Sequence, residues 1–355
     1  MPRGPRGAVR PRKETAITAI RKTVTVAGCA AVLFATAAAC GTVENLTAGQ
    51  KVDHAVDRLG EQKSLGIELS LDATPEALAS LSDDADEMPD EFADFIAGLH
   101  VDISVKSRKK LTASGEKDLV GTSVKVAGSK GVLVEYRVVG DFMYYRADMK
   151  AVGEAMGFPL PSADELPQED KRFQKVLDGG WAKMDTRELE ASGKGAKGSG
   201  GDDIDARTQR KIMKAVRGVL ADEVTFRNGS GSDGAEHVVA KANLRDVLTE
   251  LFDRLRPLEG DLPPGAELPT SGDLKDAPDK KVAVDFKIKN GDLEQVKVDL
   301  SVLAEHPKGA KVPLVLKFAE AGEVKAPSGA TEFPVGDAPG LGNPLTGAML
   351  GGGML

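Results

Sequence analysis

The stretch Val282-Ala283-Val284-Asp285-Phe286-Lys287-Ile288-Lys289-Asn290-Gly291-Asp292-Leu293-Glu294-Gln295-Val296 decides the fold. Val282, Val284, Phe286 and Ile288 alternate with Ala283, Asp285 and Lys287. A period of two puts the four large apolar side chains on one side of a strand. Asn290-Gly291 then supplies the two left-handed positions of a tight hairpin turn. The stretch reads as a hairpin with one apolar and one wet face, which marks an antiparallel sheet and not a parallel one.

The same alternation recurs along the chain. It is carried by Leu65, Ile67, Leu69 and Leu71, by Leu99, Val101, Ile103 and Val105, and by Val312, Leu314, Leu316 and Phe318. Val139-Gly140-Asp141 and Asn228-Gly229 add further hairpin turns. Helices are fewer. Leu244, Val247, Leu248, Leu251, Phe252 and Leu255 form one stripe over 243–256, which Pro257 ends. Ile212, Met213, Val216, Val219 and Leu220 form another over 205–221. Shorter helices are expected over 75–81, 90–97, 148–156 and 170–177.

A short pattern repeats where strands end. Arg146-Ala147-Asp148-Met149-Lys150 resembles Lys241-Ala242-Asn243-Leu244-Arg245, and Lys297-Val298-Asp299-Leu300-Ser301 has the same form. Lys183-Met184-Asp185-Thr186-Arg187 is a looser fourth copy. In each, an Asp or Asn after a strand is placed to cap a helical turn by accepting backbone N–H bonds. Duplication and coincidence in an Asp- and Lys-rich chain both account for the repeat.

The N-terminal region carries a different signal. Arg3, Arg6, Arg10, Arg12, Lys13, Arg21 and Lys22 precede a charge-free segment, and Ala37-Ala38-Ala39-Cys40-Gly41 follows it. A basic region, an apolar region and small residues before a cut form an export signal. The Cys after the small residues resembles the lipobox of bacterial lipoproteins. That resemblance implies a diacylglycerol on the Cys40 thiol and cleavage just before it. Cys29, after Val26-Ala27-Gly28, fits the lipobox residue by residue, but the charge-free run ahead of it is too short. A single membrane-spanning helix over 23–43 is a third reading. All three place the remaining chain outside the cytoplasm.

The expected organisation is a signal peptide over 1–39, a lipidated tether over 40–50, a domain over 51–333 with a flexible loop at 193–203, and a disordered tail over 334–355. Removing residues 1–39 takes away seven basic side chains and one acidic one, which moves the formal net charge from −8 to −14. So acidic a chain gains nothing from phosphate backbones, and nucleic acid is not an expected partner. No cysteine follows Cys40, so the domain is held by its core alone. The four histidines, His54, His100, His237 and His306, lack the spacing of a helical metal site. No acid and base pair can be nominated. Neither an enzyme nor a cofactor is expected.

The later segments resemble a family. The hairpin over 285–296, the run Tyr136–Tyr145, Trp181-Ala182-Lys183-Met184-Asp185 and Glu323-Val324-Lys325-Ala326-Pro327 follow the order of LppX/LprG-type actinobacterial lipoproteins, and more distantly of LolA-like carriers. The resemblance spans roughly residues 52–334. It implies an α+β fold: a curved antiparallel half-barrel sheet with helices packed on the concave face, and lipid held between them. The helices over 205–221 and 243–256 are the expected cover. Tyr136, Phe142, Tyr144, Met213, Leu251 and Phe252 are the candidate wall residues. The expected function is a membrane-anchored lipid-binding lipoprotein on the outer face of the cell membrane. An envelope interaction module with a packed core is the alternative.

Overall fold

The computed structural model describes residues 47–79, 81, 88–129, 131–156, 171–188, 206–231, 233–262, 268–275, 277–304 and 309–333. Cys40, the signal segment, the 193–203 loop and the 334–355 tail lie outside the described residues. The chain builds a mixed α+β molecule around one large, open, curved sheet.

Twelve strands form that sheet: β1 (Ser64–Leu71), β2 (His100–Ser107), β3 (Leu119–Gly128), β4 (Gly131–Val139), β5 (Phe142–Ala147), β6 (Ala182–Asp185), β7 (Thr225–Asn228), β8 (Glu236–Asn243), β9 (Lys281–Lys289), β10 (Asp292–Asp299), β11 (Pro313–Ala319) and β12 (Thr331–Glu332). Their order is β12-β6-β5-β4-β3-β2-β1-β11-β10-β9-β8-β7. The chain meanders outward from β1 to β6. It resumes at the opposite edge with β7 and meanders back until β11 pairs with β1. Among the described residues only the β6–β12 pair is parallel.

Turn chemistry sets the hairpins. Asn290 and Gly291 have φ of 54° and 80°, the two positive values a type I′ turn needs. Gly140 has φ of 60° ahead of Asp141, which suits a type II′ turn with glycine first.

The register makes one continuous apolar face. Leu69 lies between Val101 and Leu316, Val101 is opposite Val126, and Val126 is opposite Val134. On the other side Leu316 is opposite Val296, Val296 opposite Phe286, and Phe286 opposite Val238. We call this the inner face. The outer face is charged: Glu68 and Asp102 sit side by side, and each has a lysine on its far side, Lys317 at 2.8 Å and Lys125 at 2.7 Å.

Eight helices accompany the sheet: α1 (Ala48–Glu61), α2 (Pro75–Ala79), α3 (Asp90–Ala97), α4 (Met149–Met156), α5 (Lys171–Leu177), α6 (Ala206–Glu223), α7 (Leu244–Leu255) and α8 (Ser271–Lys275) among the described residues. Helix α1 begins inside the stretch expected as tether. Thr47 and Gln50 form its capping box, and Val52, Ala55 and Leu59 are buried on one stripe. That stripe packs on Leu65, Val238, Ile288 and Leu293 to make the larger buried cluster. The expected helices over 205–221 and 243–256 form as α6 and α7 and pack against each other. Gly218 of α6 leaves room for Arg254 of α7, whose guanidinium bonds Asp222 at 2.6 Å.

All four repeated Asx residues cap as the sequence pattern requires. Asn243 accepts from the Arg245 and Asp246 N–H groups, Asp148 from Ala151, Asp299 from Ser301 and Asp185 from Arg187. Each turns the chain from a strand end into a helical turn.

From β11 the chain crosses the outer face as a strap to reach β12. Seven inter-strand steps of about 4.8 Å make a crossing of roughly 34 Å. The steps from Ala319 to Thr331 reach about 40 Å when fully extended. The segment is long enough for the crossing and turns once, at Ser328-Gly329, before β12. It passes over Gly66, where a Cβ would lie 3.5 Å from Ala321, and over Gly121, where a Cβ would lie 2.9 Å from Val324.

Two outcomes test this packing. Leu59→Ala removes the end of the α1 stripe and is expected to cost about 2–5 kcal/mol in urea unfolding. Gly121→Val drives a side chain into the strap and is expected to cost about 1–3 kcal/mol by the same measurement; an unchanged midpoint would show that the strap is not seated there.

Candidate functional site

Two clusters of buried apolar residues pack on the inner face. One cluster is that of α1 on β1 and β8–β10. The other joins Val176 of α5, Ala182 and Met184 of β6, and Phe333 beyond β12. Between them the inner face continues through Leu69, Val101, Ile103, Val124, Val126, Val134 and Val138. None of these is in a buried cluster and all remain partly exposed. Leu314, Leu316, Val298 and Val284 are likewise partly exposed on the neighbouring strands. The stripe of α7 has no buried member either. Apolar side chains are thus aligned across β1–β4 with less cover among the described residues than in the two clusters.

The candidate wall residues divide between the faces. Tyr136 lies on the inner face, opposite Val124 on one side and Tyr145 on the other. Phe142 and Tyr144 lie on the outer face, which corrects the expectation that they point inward. The two-residue turn at Gly140-Asp141 pairs Val139 with Phe142, so even-numbered positions of β4 match odd-numbered ones of β5. Met143, Tyr145 and Ala147 are therefore the inward residues of β5. Phe142 instead meets the Lys183 ammonium, 4.0 Å from its ring centre, and Tyr144 is buried on the outer side. Leu251 and Phe252 lie on α7, half-buried. Met213 lies on α6, with its side chain outside the described residues.

Burial pushes the Tyr136 and Tyr145 phenols above the ordinary tyrosine value. Both stay neutral O–H groups at any physiological pH.

The outer face is closed by its own contacts. Glu135, 4 % exposed, accepts from the Arg137 guanidinium at 2.7 Å and from Arg146 at 2.6 Å. Trp181 lies 4.8 Å from Arg137 and 4.9 Å from Arg146, a cation–π contact with each. Arg137 also donates to the Lys325 carbonyl at 2.9 Å, which ties down the strap. A depression of about 310 Å³ beneath the strap is lined by Ser104, Ser123, Glu135, Arg137 and residues 322–325. Its guanidinium and its buried carboxylate are used by each other, so it reads as a buttress and not as a binding site. The Trp181 run was singled out in the sequence as a family mark; its stacking role needed the structure.

A second ionic group sits on β8. His237 bonds Asp285 at 2.9 Å and Asp233 at 3.3 Å, and Lys287 bonds Asp233 at 2.8 Å. Asp285 first, then Asp233, hold the His237 imidazolium above its ordinary value. His54 and His100 lie elsewhere, on α1 and β2. Among the described residues no three His, Cys, Asp or Glu side chains converge as a metal site, and no helix is long and apolar enough to cross a membrane.

No family model matches the chain, and no curated protein does. The chain is similar to the solved structure of the Mycobacterium tuberculosis lipoprotein LppX, with 12% identity and a TM-score of 0.28 over 77% of this chain and 93% of that one.

Two outcomes follow. Glu135→Ala strands two guanidinium groups on the outer face and is expected to lower stability by about 1–3 kcal/mol in urea unfolding. The His237 group stabilises the protein fully below pH 6.5, its unfolded value. The contribution fades as pH rises through the higher folded value. A stability–pH profile of His237→Gln should lie below that of the native chain at low pH and approach it at high pH.

Proposed function

We propose that this chain is an envelope lipoprotein that binds the acyl chains of a lipid along the inner face of its sheet. The observation that carries the reading is the row of partly exposed aliphatic residues between the two buried clusters. Apolar surface left in water costs about 25 cal/mol per Å². Exposed patches of this kind mark ligand or partner sites in soluble proteins. A methylene chain laid along β1–β5 would cover Leu69, Ile103, Val124 and Val138 without needing any hydrogen bond.

The reading is supported by the sequence order shared with LppX/LprG-type lipoproteins. Under it, Cys40 carries the lipid anchor, and the domain stands at the outer face of the cell membrane, where its ligand is found. The charged outer face and its strap would then face solvent.

Ile103→Asp puts a carboxylate in the middle of the inner face. Uptake of a fluorescent diacyl lipid is expected to fall roughly tenfold or more. Ser104→Asp, one residue along and on the outer face, should leave uptake unchanged. Equal uptake by all three proteins, or none by the native chain, would contradict the proposal. Cys40→Ser should release the protein from the membrane into the medium; retention would contradict the anchor.

A further inference from the structure

At the paired inward positions of β1–β6, the polar residues are Ser107, whose hydroxyl is used by Ser114 and the Asp118 carbonyl, and Thr122, Tyr136 and Tyr145; the others are aliphatic, Gly or Met. Tyr136 and Tyr145 stand directly opposite each other on β4 and β5. Their inner-face neighbours are Val124, Val134, Val138, Met143 and Ala182. Neither phenol has a hydrogen-bond partner among the described residues, and burial is what perturbs both.

Two O–H donors set in an apolar face are costly under a plain hydrocarbon, because each would lose water and gain no acceptor. Should one phenol donate to the other, a donor is still left over. The ligand that suits them brings acceptors of its own. Directly opposed residues hold their Cβ atoms about 5 Å apart. Two such donors match the two carbonyls of a lipid esterified at neighbouring carbons. The same positions carry no Lys or Arg, so a fatty-acid carboxylate would find no counter-charge there.

We propose that Tyr136 and Tyr145 recognise the ester carbonyls of a neutral diacyl lipid, each donating one phenol hydrogen bond, and thereby fix how deep the ligand lies on the inner face. This rests on the lipid-binding reading above and adds the ligand's polar chemistry to it. Thr122 lies one strand further on, opposite Val138.

The test uses two fluorescent probes with identical chains, a diester lipid and its diether analogue, which lacks the carbonyls. The native protein should bind the diester about tenfold more tightly. Tyr136→Phe with Tyr145→Phe keeps both rings and should bind the two probes equally, at the diether level. Each single variant should lose about threefold, which keeps the test open if the double variant folds poorly. Tyr144→Phe, on the outer face, should keep the full preference. Equal binding of both probes by the native chain, or a preference that survives the double change, overturns the phenol assignment alone. Binding of neither probe by the native chain overturns the assignment and the lipid-binding reading together.

Discussion

Strand register is the constraint on which everything else in this molecule depends. With a side-chain period of two, a slip of one residue in any pair would carry a whole apolar set to the wet side. Between the local shifts at Ser107, Ala127 and Gln295 the register is kept from β6 to β8, so aliphatic residues of the successive strands fall on one surface. That surface is wider than the helices among the described residues bury. Helix α1 seals the part over β8–β10, and α5 with Phe333 seals the far edge. The centre is left with apolar side chains in partial contact with solvent, and the functional reading grows from that mismatch.

The outer face has the opposite character. A strap crosses it, fitted over glycines 66 and 121, and Glu135 holds two arginines between which Trp181 stacks. Charges there are matched at short range. Exposed pairs of this sort add little each, but the buried Glu135 is different, since losing it would strand two cations. A surface so closed leaves the inner face as the side on which a ligand can lie.

Much of this was legible in the residues. Strict alternation gave β1, β2, β9 and β11 their places, Asn290-Gly291 and Gly140-Asp141 gave their turns, and the Asx pattern gave four caps that all form. Helix α1 was missed although Thr47 and Gln50 spell a capping box and Val52, Ala55, Val56 and Leu59 repeat at helical spacing. Phe142 and Tyr144 were put on the wrong face because inwardness was judged from residue type. Counting across the two-residue turn from Tyr136 would have chosen Met143 and Tyr145. The strap was beyond local patterning, because its partners lie far away in sequence and its role appears only once β11 and β6 are placed.

The central claim is that apolar side chains at the middle of the sheet are completed by a lipid. Native mass spectrometry of the protein purified from its own host, without detergent, tests it most directly. The account predicts a species heavier than the chain by the mass of a diacyl lipid, lost when a charge is placed at Ile103. A spectrum showing the bare chain alone, unchanged after incubation with envelope lipid extract, would contradict it.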